Sequence, residues 1–403
     1  MNIQKKITIL AVGGAGCRIM RRLRELPGAE KLQLLALDTD RTALEETGLP
    51  ATAQLLAGEL WRGGRGCGGD ELNGQGAVAH ERARIEALLR DSKFLMVVCG
   101  LGGGTASGGA PVVLSVAAKL KLPNLFMVTL PFMLEGYRRR NLAERVLSES
   151  LFDVSDAVVT LPNDLLFSTL TGDTPLAKAF EMADRECAGT ALALSAILSA
   201  GNLLNADLAS FTTLLKRRKC QCSIGVGTVR GEAECTVEDA PEKLVSGVLA
   251  SPLLGGPQVL KSADAVVVSM LGGDDLSIGE VRNTLELIGR YVPKQAQQLT
   301  AASAHPDWHG ARQLCVLAIK YDEESLPIEE PPAAPRVGRR AGRGDDKRSE
   351  KTEQLTLMFD TVSKGIMERT TPVMWNNEDL DEPTFKRRNL VIDDGRKGGA
   401  RRR

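Results

Sequence analysis

Three glycine-rich segments carry the clearest chemical signal in this sequence. They are residues 13–16 (GGAG), 63–69 (GGRGCGG) and 100–109 (GLGGGTASGG). Backbone N–H groups at the start of a helix bind phosphate when no side chain obstructs them, and glycine leaves them open. The first and third segments follow apolar runs and precede helical patterns, so they predict phosphate-binding loops. For residues 63–69, plain tight turns are the alternative explanation.

A dinucleotide site is the main alternative for these loops. Asp38 ends the second apolar run about 22 residues after Gly16, where the acid that binds a ribose would sit. The first loop, however, has Ile19 in place of the third glycine of G-x-G-x-x-G, and such a site gives the third loop no role. A Walker-type P-loop is excluded, because the sequence contains no G-x-x-x-x-G-K-[ST].

The segments that must position these loops alternate between strand and helix patterns. Short apolar runs at 7–12, 32–38, 94–100, 125–131 and 157–162 predict buried parallel strands. The helical patterns between them predict a Rossmann-like α/β sheet with helices on both faces. Because nucleotides bind at the carboxyl ends of such strands, we expect the glycine loops to meet there.

The remainder of the chain has three further parts. Residues 175–201 form a mostly apolar helical pattern between Pro175 and Gly201, which predicts a buried central helix. Shorter strands within 220–320 predict a second, smaller α/β domain, and the Pro-, Arg- and Gly-rich stretch after it predicts a disordered linker. The expected parts are a nucleotide-binding domain (1–174), a central core helix (175–204), a second domain (205–322), a linker (323–353) and a tail (354–403).

Composition excludes several classes of function. Lys plus Arg and Asp plus Glu both total 51, so no net field favours nucleic acid or membrane, and aromatics make up only 4%. The eight cysteines are scattered, as reduced thiols are in cytosolic proteins. The apolar run at 7–12 is too short for a signal peptide, and no stretch reaches the ~18 apolar residues of a membrane span. We expect a cytoplasmic protein without direct membrane insertion.

Several motifs carry a family resemblance. Residues 102–108 (GGGTASG) resemble the GGGTGTG signature of the tubulin and FtsZ family, which wraps nucleotide phosphates. Further segments are similar to other motifs of that family, in the same order: VGGAGC (12–17), LDTD (37–40), RGGRGCGG (62–69), PFMLEGYRR (131–139), LPND (161–164) and SPLL (251–254). The resemblance covers roughly residues 5–320. It implies a GTPase that binds GTP or GDP with Mg²⁺ and polymerises head to tail.

The resemblance also implies which residues contact the nucleotide. Glu135 and Arg139 match the pair that holds the ribose, and Asn163 matches the asparagine of the LPND-type motif. Phe180 and Asp184 fall on the long helix beside the base. The glycine loops supply the remaining expected contacts: Gly13, Gly14, Ala15, Gly16, Cys17, Arg18, Asp40, Gly66, Cys67, Gly68, Gly102, Gly103, Gly104, Thr105, Ala106, Ser107 and Gly108.

Departures from the family pattern at three of these positions affect the expected contacts most. Arg18 and Asp184 stand where the family has asparagine. A carboxylate at 184 can accept from N1–H and N2–H of guanine, whereas adenine has no N1–H, so guanine remains preferred. Arginine has no acceptor, which leaves Arg18 either contacting phosphate or facing solvent. Ala106 replaces a glycine and is tolerable where its φ stays negative.

The catalytic loop departs as well. In the family, a loop of the form NxDxxD reaches the nucleotide of the next subunit, and its acids polarise the attacking water. Asn205 and Asp207 match this pattern, but Ser210 replaces the second acid. Positioned acid–base help contributes about 10²–10⁴-fold to a rate. The resemblance therefore implies GTP binding and polymerisation with slow hydrolysis.

The tail bears on the cellular role. EDLDEPTFKRRN (378–389) resembles the family's terminal peptide, which docks on membrane-tethering division proteins such as FtsA. This implies a filament of the bacterial division (Z) ring, located at the division site beneath the inner membrane. The alternatives are a superfamily filament that positions plasmids or controls shape, and a dinucleotide-dependent oxidoreductase, for which 200–320 offers no acid–base set.

Overall fold

The computed structural model describes residues 7–164, 173–198, 208–215, 220–231 and 239–321, and the backbone of 374–375 and 378–379. Two compact units result, Met1–Pro331 and Pro332–Arg403. In the second unit, Met374–Trp375 pairs antiparallel with Glu378–Asp379. The predicted linker, most of the predicted docking peptide, Asn205 and Asp207 lie outside the described residues.

The first half of the chain alternates strands and helices, as the apolar runs predict. Each of the five predicted strands is observed with bounds within one residue of the prediction. The elements are β1 Ile7–Val12, α1 Gly13–Leu23, β2 Gln33–Asp38, α2 Arg41–Glu46, β3 Gln54–Leu56, α3 Glu59–Arg62, α4 Glu71–His80, α5 Arg82–Leu89, β4 Phe94–Gly100, α6 Gly104–Leu120, β5 Asn124–Leu130, α7 Tyr137–Val146 and β6 Ala157–Pro162.

The second half begins with the long central helix and continues with longer strands. Its described elements are α8 Leu176–Leu198, α9 Leu208–Leu215, β7 Cys220–Arg230, α10 Ala240–Ala250, α11 Pro257–Lys261, β8 Ala265–Gly272, α12 Ile278–Gly289, β9 Gln297–Ala304 and β10 Ala311–Tyr321.

Within the described ranges of the first unit, all strands join one sheet in the order β3-β2-β1-β4-β5-β6-β7-β10-β8-β9. Neighbouring strands from β3 to β7 are parallel, and β10 runs antiparallel to both β7 and β8. The order of β1 to β6 is that of a Rossmann-type sheet. The mixed α/β fold with a mainly parallel sheet is therefore confirmed.

The junction between β6 and β7 is short. Only Val158 with Gln221 and Val159 with Cys222 pair there among the described residues. This pairing continues the sheet from the first half of the chain into the second. The expected domain boundaries at 174, 204 and 322 thus fall inside or at the end of one compact unit, and the division into domains stays a prediction.

Both faces of the first-half sheet are covered. Along β1, Ile9 and Ala11 pack toward α1 and α8, while Leu10 and Val12 pack toward the side of α4, α5 and α6. This explains why the strands are continuous apolar runs rather than alternating ones. A third core lies under α10 and α12, against β8 and β10.

Two helices differ from their predictions. The N-terminal half of α8 is amphipathic rather than buried all round, because Lys178, Met182 and Arg185 are exposed while Ala183 and Cys187 are buried. Helix α6 starts at Gly104, seven residues before Pro111, which lies inside it. Among the described residues, no helix combines the length and apolarity needed to cross a membrane.

Candidate nucleotide-binding site

Two neighbouring strands end at the same edge of the sheet and lead directly into helices. β1 and β4 are paired in parallel from Ile7 with Phe94 to Val12 with Cys99. Helix α1 begins at Gly13, immediately after β1, and α6 begins at Gly104, four residues after β4 ends. The unpaired N–H groups and positive dipole ends of both helices therefore converge at this edge. That arrangement attracts an anion such as phosphate.

The first and third glycine loops are in direct contact. Gly13 has a φ of +77°, and a Cβ there would lie 3.1 Å from Cβ of Ala106. A Cβ on Gly16 would lie 2.5 Å from the carbonyl oxygen of Val98. Both positions therefore require glycine. Ala106 itself lies in α6 with helical backbone, so alanine there causes no φ strain.

A third helix N-terminus joins the same edge. Asp70 caps α4 by accepting a hydrogen bond from the backbone N–H of Asn73 at 3.1 Å. A Cβ on Gly104 would lie 2.6 Å from the carbonyl oxygen of Asp70, and a Cβ on Gly108 would lie 2.2 Å from that of Glu71. The start of α4 is therefore packed backbone to backbone on the first turns of α6.

A buried polar cluster lies where these loops meet. The backbone N–H of Thr39 donates to Oδ1 of Asp38 at 2.7 Å, and the hydroxyls of Thr39 and Thr105 are 2.7 Å apart. Sγ of Cys67 donates to Oγ1 of Thr39 at 3.2 Å, and Sγ of Cys17 lies 3.9 Å from Oδ2 of Asp38. The cluster connects the ends of β2, α1 and α6 with the second loop. Contacts such as Thr39–Thr105 and Thr39–Cys67 join residues far apart in the chain and could not be predicted from the sequence.

The position of Asp38 also argues against a dinucleotide-binding site. Its side chain is buried, and burial raises the pKa of the carboxyl above its usual range despite the hydrogen bond from Thr39. A ribose-binding acid must face the ligand. Asp38 instead faces the polar cluster, so the feature that favoured a dinucleotide site is accounted for by loop packing.

Asp40 ties the second loop to the end of β2. Its carboxylate caps α2 by accepting from the backbone N–H of Thr42 at 2.9 Å, and its backbone bridges Arg65. The N–H of Gly66 donates to the carbonyl of Thr39 at 3.0 Å, and both Gly66 and Gly68 have positive φ. The glycines of this segment therefore do form turns, and these turns lie beside the sheet edge where α6 begins.

Of the expected ribose residues, Glu135 lies on the loop between β5 and α7, and Arg139 lies in the first turn of α7. Oε1 of Glu135 accepts from the N–H of Phe132 at 3.1 Å, and Nη1 of Arg139 donates to Oε2 of Glu135 at 2.7 Å. A Cβ on Gly102 would lie 2.8 Å from the carbonyl oxygen of Arg139 and 2.8 Å from Cγ of Pro131, so α7 and the loop before it both pack on the third glycine loop. Asn163 is half-buried just after β6.

The expected base residues lie on the first turns of α8. Phe180 meets Phe132 edge to face, with ring centroids 5.1 Å apart. One turn later, Oδ2 of Asp184 accepts from Nε of Arg18 at 3.1 Å. The sequence left two options for Arg18, a phosphate contact or a solvent-facing side chain. The structure instead pairs it with Asp184, because helices α1 and α8 pack side by side. Burial raises the pKa of Asp184, and Arg18 opposes that rise.

Of the three expected catalytic residues, the structure describes one. Ser210 is exposed in the first turn of α9. Asn205 and Asp207 lie outside the described ranges. The structure thus brings together the three glycine loops, the expected ribose loop (residues 131–136) and the start of α8, and places Ser210 at the beginning of a separate helix.

Comparison with known proteins identifies the relatives of this arrangement. The profile of the Tubulin/FtsZ family, GTPase domain, matches residues 6–171. The cell division protein FtsZ of Haloferax mediterranei is 31% identical over 325 residues, which are 81% of this chain and 82% of the relative. The chain belongs to the tubulin/FtsZ family. FtsZ 1 of Archaeoglobus fulgidus is 32% identical over 311 residues, 77% of this chain and 81% of the relative.

Solved structures of the tubulin/FtsZ family share the fold. An empty FtsZ dimer of M. jannaschii superposes with a TM-score of 0.69 at 28% identity, covering 78% of this chain and 88% of that one. CetZ2 from Haloferax volcanii, in a GTPγS-bound protofilament, gives 0.62 at 20% identity and covers 79% and 94%. The chain is therefore a divergent member of a family of GTPases that bind GTP and GDP.

Proposed function

We propose that this chain binds GTP at the glycine edge of its sheet, assembles head to tail, hydrolyses GTP slowly and serves as a filament of the division ring. One observation carries the proposal. The N-termini of α1, α4 and α6 converge through glycines whose replacement would force backbone atoms apart. Three helix ends around one edge suit a polyphosphate better than a single phosphate group.

The rest of the nucleotide fits the neighbouring residues. Glu135 and Arg139 lie beside the third loop and offer hydrogen bonds to a ribose. Phe180 provides an apolar surface and Asp184 an acceptor for a base. Asp40 and Asp70, which cap helices beside the phosphate loops, are oxygen donors of the kind that Mg²⁺ prefers. Mg²⁺ bound there would neutralise charge on the phosphates.

Self-association is supported by exposed apolar residues beside the site. Met133 and Leu134 are 72% and 88% exposed on the ribose loop, and Tyr137 follows at the start of α7. Leu60 and Leu72 are also exposed, near the second glycine loop. Large exposed apolar side chains near one edge mark a surface that binds a partner. The FtsZ dimer and the CetZ2 protofilament support a second copy as that partner.

Slow hydrolysis is the part of the proposal that rests on Ser210. Serine can position a water molecule but has no charge to draw its proton. We expect Ser210→Asp to raise GTP turnover within filaments by about 10²-fold or more. Phosphate release per filament subunit measures this, with Ser210→Asn as an uncharged control of similar size. Equal rates for wild type and Ser210→Asp would contradict the assignment of Ser210.

The division role is supported by the relatives and by the tail sequence. Two relatives that match 81% and 77% of this chain are named cell division proteins, and 378–389 resembles a peptide that docks on tethering proteins such as FtsA. The similarity to CetZ structures keeps a non-division filament, for shape or plasmid positioning, as the second candidate. Fluorescent fusions separate the two, because a division filament collects at the cytoplasmic side of the division plane.

Sedimentation tests the assembly directly. Purified chain is centrifuged with GTP, GDP or ATP, each with Mg²⁺, while phosphate release is followed in the same samples. The proposal expects pelleting with GTP and little with GDP or ATP. Absence of GTP-dependent pelleting across a range of salt concentrations would contradict it.

A further inference from the structure

Helices α1 and α8 meet through opposite charges. Nε of Arg18 donates to Oδ2 of Asp184 at 3.1 Å, and one turn further along α1, Nη2 of Arg22 donates to Oε1 of Glu181 at 2.7 Å. The two acids differ in their surroundings. The side chain of Asp184 is 13% exposed, whereas that of Glu181 is 44% exposed. Of these two ion pairs, Arg18–Asp184 therefore has the less solvated carboxylate.

This pair joins the helix that follows the first glycine loop to the helix that carries the expected base residues. Arg18 is on the first turns of α1, whose N-terminus forms the first phosphate loop. Asp184 is one turn beyond Phe180, whose ring contacts Phe132 of the ribose loop. A nucleotide with its phosphates at Gly13 and its sugar near Glu135 would carry its base toward this part of α8. Asp184 is the acid positioned to meet its edge.

The charge state of Asp184 decides which purine it matches. An ionised carboxylate has two oxygens and about four acceptor positions, so Oδ2 can accept from Arg18 while both oxygens accept from N1–H and N2–H of guanine. A protonated carboxyl has one donor and one acceptor. That pattern instead matches N1 and the amino group of adenine.

Burial pushes Asp184 toward the protonated form. Desolvation raises the pKa of its carboxyl, and Arg18 opposes the rise most, through both its charge and its hydrogen bond. Arg21 and Arg22 oppose it less. Among the described residues, the titratable groups facing Asp184 or flanking it are Arg18, Arg21 and Arg22 of α1 and Glu181, Arg185, Glu186 and Cys187 of α8.

We propose that Arg18 determines purine specificity by acting through Asp184: bonded to Oδ2, its guanidinium holds Asp184 as an ionised, two-acceptor group that selects guanine over adenine. This inference rests on the proposed GTP site and adds to it the reason for an arginine at position 18. Arg18 is thus a positioning residue for Asp184, which is the residue that reads the base.

Equilibrium binding of GTP and ATP to the full chain, from mildly acidic to slightly alkaline pH, tests the proposal. The quantity of interest is the ratio of the two affinities, because protonation of the triphosphate affects both nucleotides equally. In Arg18→Gln, we expect the preference for GTP to fall about ten-fold at mildly acidic pH, the worth of one hydrogen bond to a charged group. The fall should shrink toward alkaline pH.

Three further variants sharpen the test. Arg18→Lys keeps the charge and should retain more of the preference than Arg18→Gln. Asp184→Asn should show a weak preference that no longer changes with pH. Arg22→Gln removes the neighbouring ion pair between the same helices and should lower the preference much less than Arg18→Gln, because Arg22 opposes the pKa rise of Asp184 less than Arg18 does. Circular dichroism establishes that each variant is folded, and Asp184→Asn carries the test where Arg18→Gln does not fold.

The outcomes separate this inference from the proposed function. Wild type that binds neither nucleotide, or does not prefer GTP, overturns both. Wild type that prefers GTP, together with an Arg18→Gln variant of unchanged preference at every pH, overturns only the role of Arg18. Equal loss of GTP and ATP affinity in Arg18→Gln would make Arg18 a phosphate contact and also overturn the inference. An Asp184→Asn variant with the wild-type preference would do the same.

Discussion

The phosphate side and the base side of the candidate site are built in different ways. On the phosphate side, backbone contacts backbone, and added methyl groups at Gly16, Gly104 or Gly108 would come within 2.6 Å of a carbonyl oxygen. On the base side, the contacts are between side chains, namely the Arg18–Asp184 ion pair and the Phe132–Phe180 ring pair. Where backbone packs on backbone, a larger residue cannot replace glycine. Where side chains contact each other, one pair of residues can be replaced by another. This difference explains how an arginine can occupy position 18 on the base side while the glycine loops keep the family pattern.

The strongest test of the phosphate side compares two glycines of the third loop. A Cβ on Gly108 would lie 2.2 Å from the carbonyl oxygen of Glu71, whereas one on Gly103, whose φ is −93°, meets nothing within 4 Å. We expect Gly108→Ala to lower the free energy of unfolding by about 1–3 kcal/mol, as overpacking does. Gly103→Ala should leave it unchanged while weakening GTP binding. Thermal unfolding and nucleotide titration measure the two effects, and similar unfolding temperatures for both variants would break the comparison.

The ring pair tests the base side. Phe132 is buried and Phe180 half-buried, so Phe180→Ala should cost about 1–2 kcal/mol of unfolding free energy, less than a fully buried phenylalanine. Met133→Ala is the matched control, because Met133 is exposed on the same loop. Denaturant unfolding compares them. Equal stability losses would show that the packed ring of Phe180 on α8 contributes no more than the exposed side chain of Met133, contrary to the structure.

A substitution of Glu135 tests the loop that lies between the phosphate side and the base side of the candidate site. Glu135→Gln keeps an acceptor for the N–H of Phe132 but loses the ion pair with Arg139, whose side chain is largely exposed. Because exposed ion pairs stabilise little, we expect unchanged thermal stability and about five-fold weaker GTP binding. Calorimetric titration measures the affinity. An affinity equal to wild type would remove Glu135 from the ribose site.

Asp38 provides the smallest expected effect, with a defined pH dependence. Its folded-state pKa is raised by burial, so the stability linked to its protonation is present at low pH and is lost as pH rises through that pKa. Asp38→Asn keeps an acceptor for the N–H of Thr39 and removes the buried charge. We expect it to be more stable than wild type at neutral pH, on the order of 1 kcal/mol, and equal to it in acid. A variant less stable at neutral pH would mean that the charge of Asp38 is compensated by the cluster.

The strands and the glycine-rich turns that follow them could be predicted from the sequence because their signals are local. Runs such as 94–100 are apolar over their whole length, and the glycines follow immediately. The Arg18–Asp184 pair could not be predicted, because its residues are 166 positions apart and meet only through the packing of α1 on α8. The Thr39–Thr105 contact was missed for the same reason. The sequence predicts a loop through residue 109, whereas α6 starts at Gly104. Glycine is a poor helix former in isolation, and packing against the start of α4 compensates for that low helix propensity.

The central claim is that the three glycine loops form a GTP site. Equilibrium dialysis of the purified full chain against GTP, with ATP and NAD as competitors, tests it most directly. The structure predicts saturable binding of one GTP per chain that neither competitor displaces at equal concentration. Binding of NAD in preference to GTP, or no saturable binding of GTP, would contradict it.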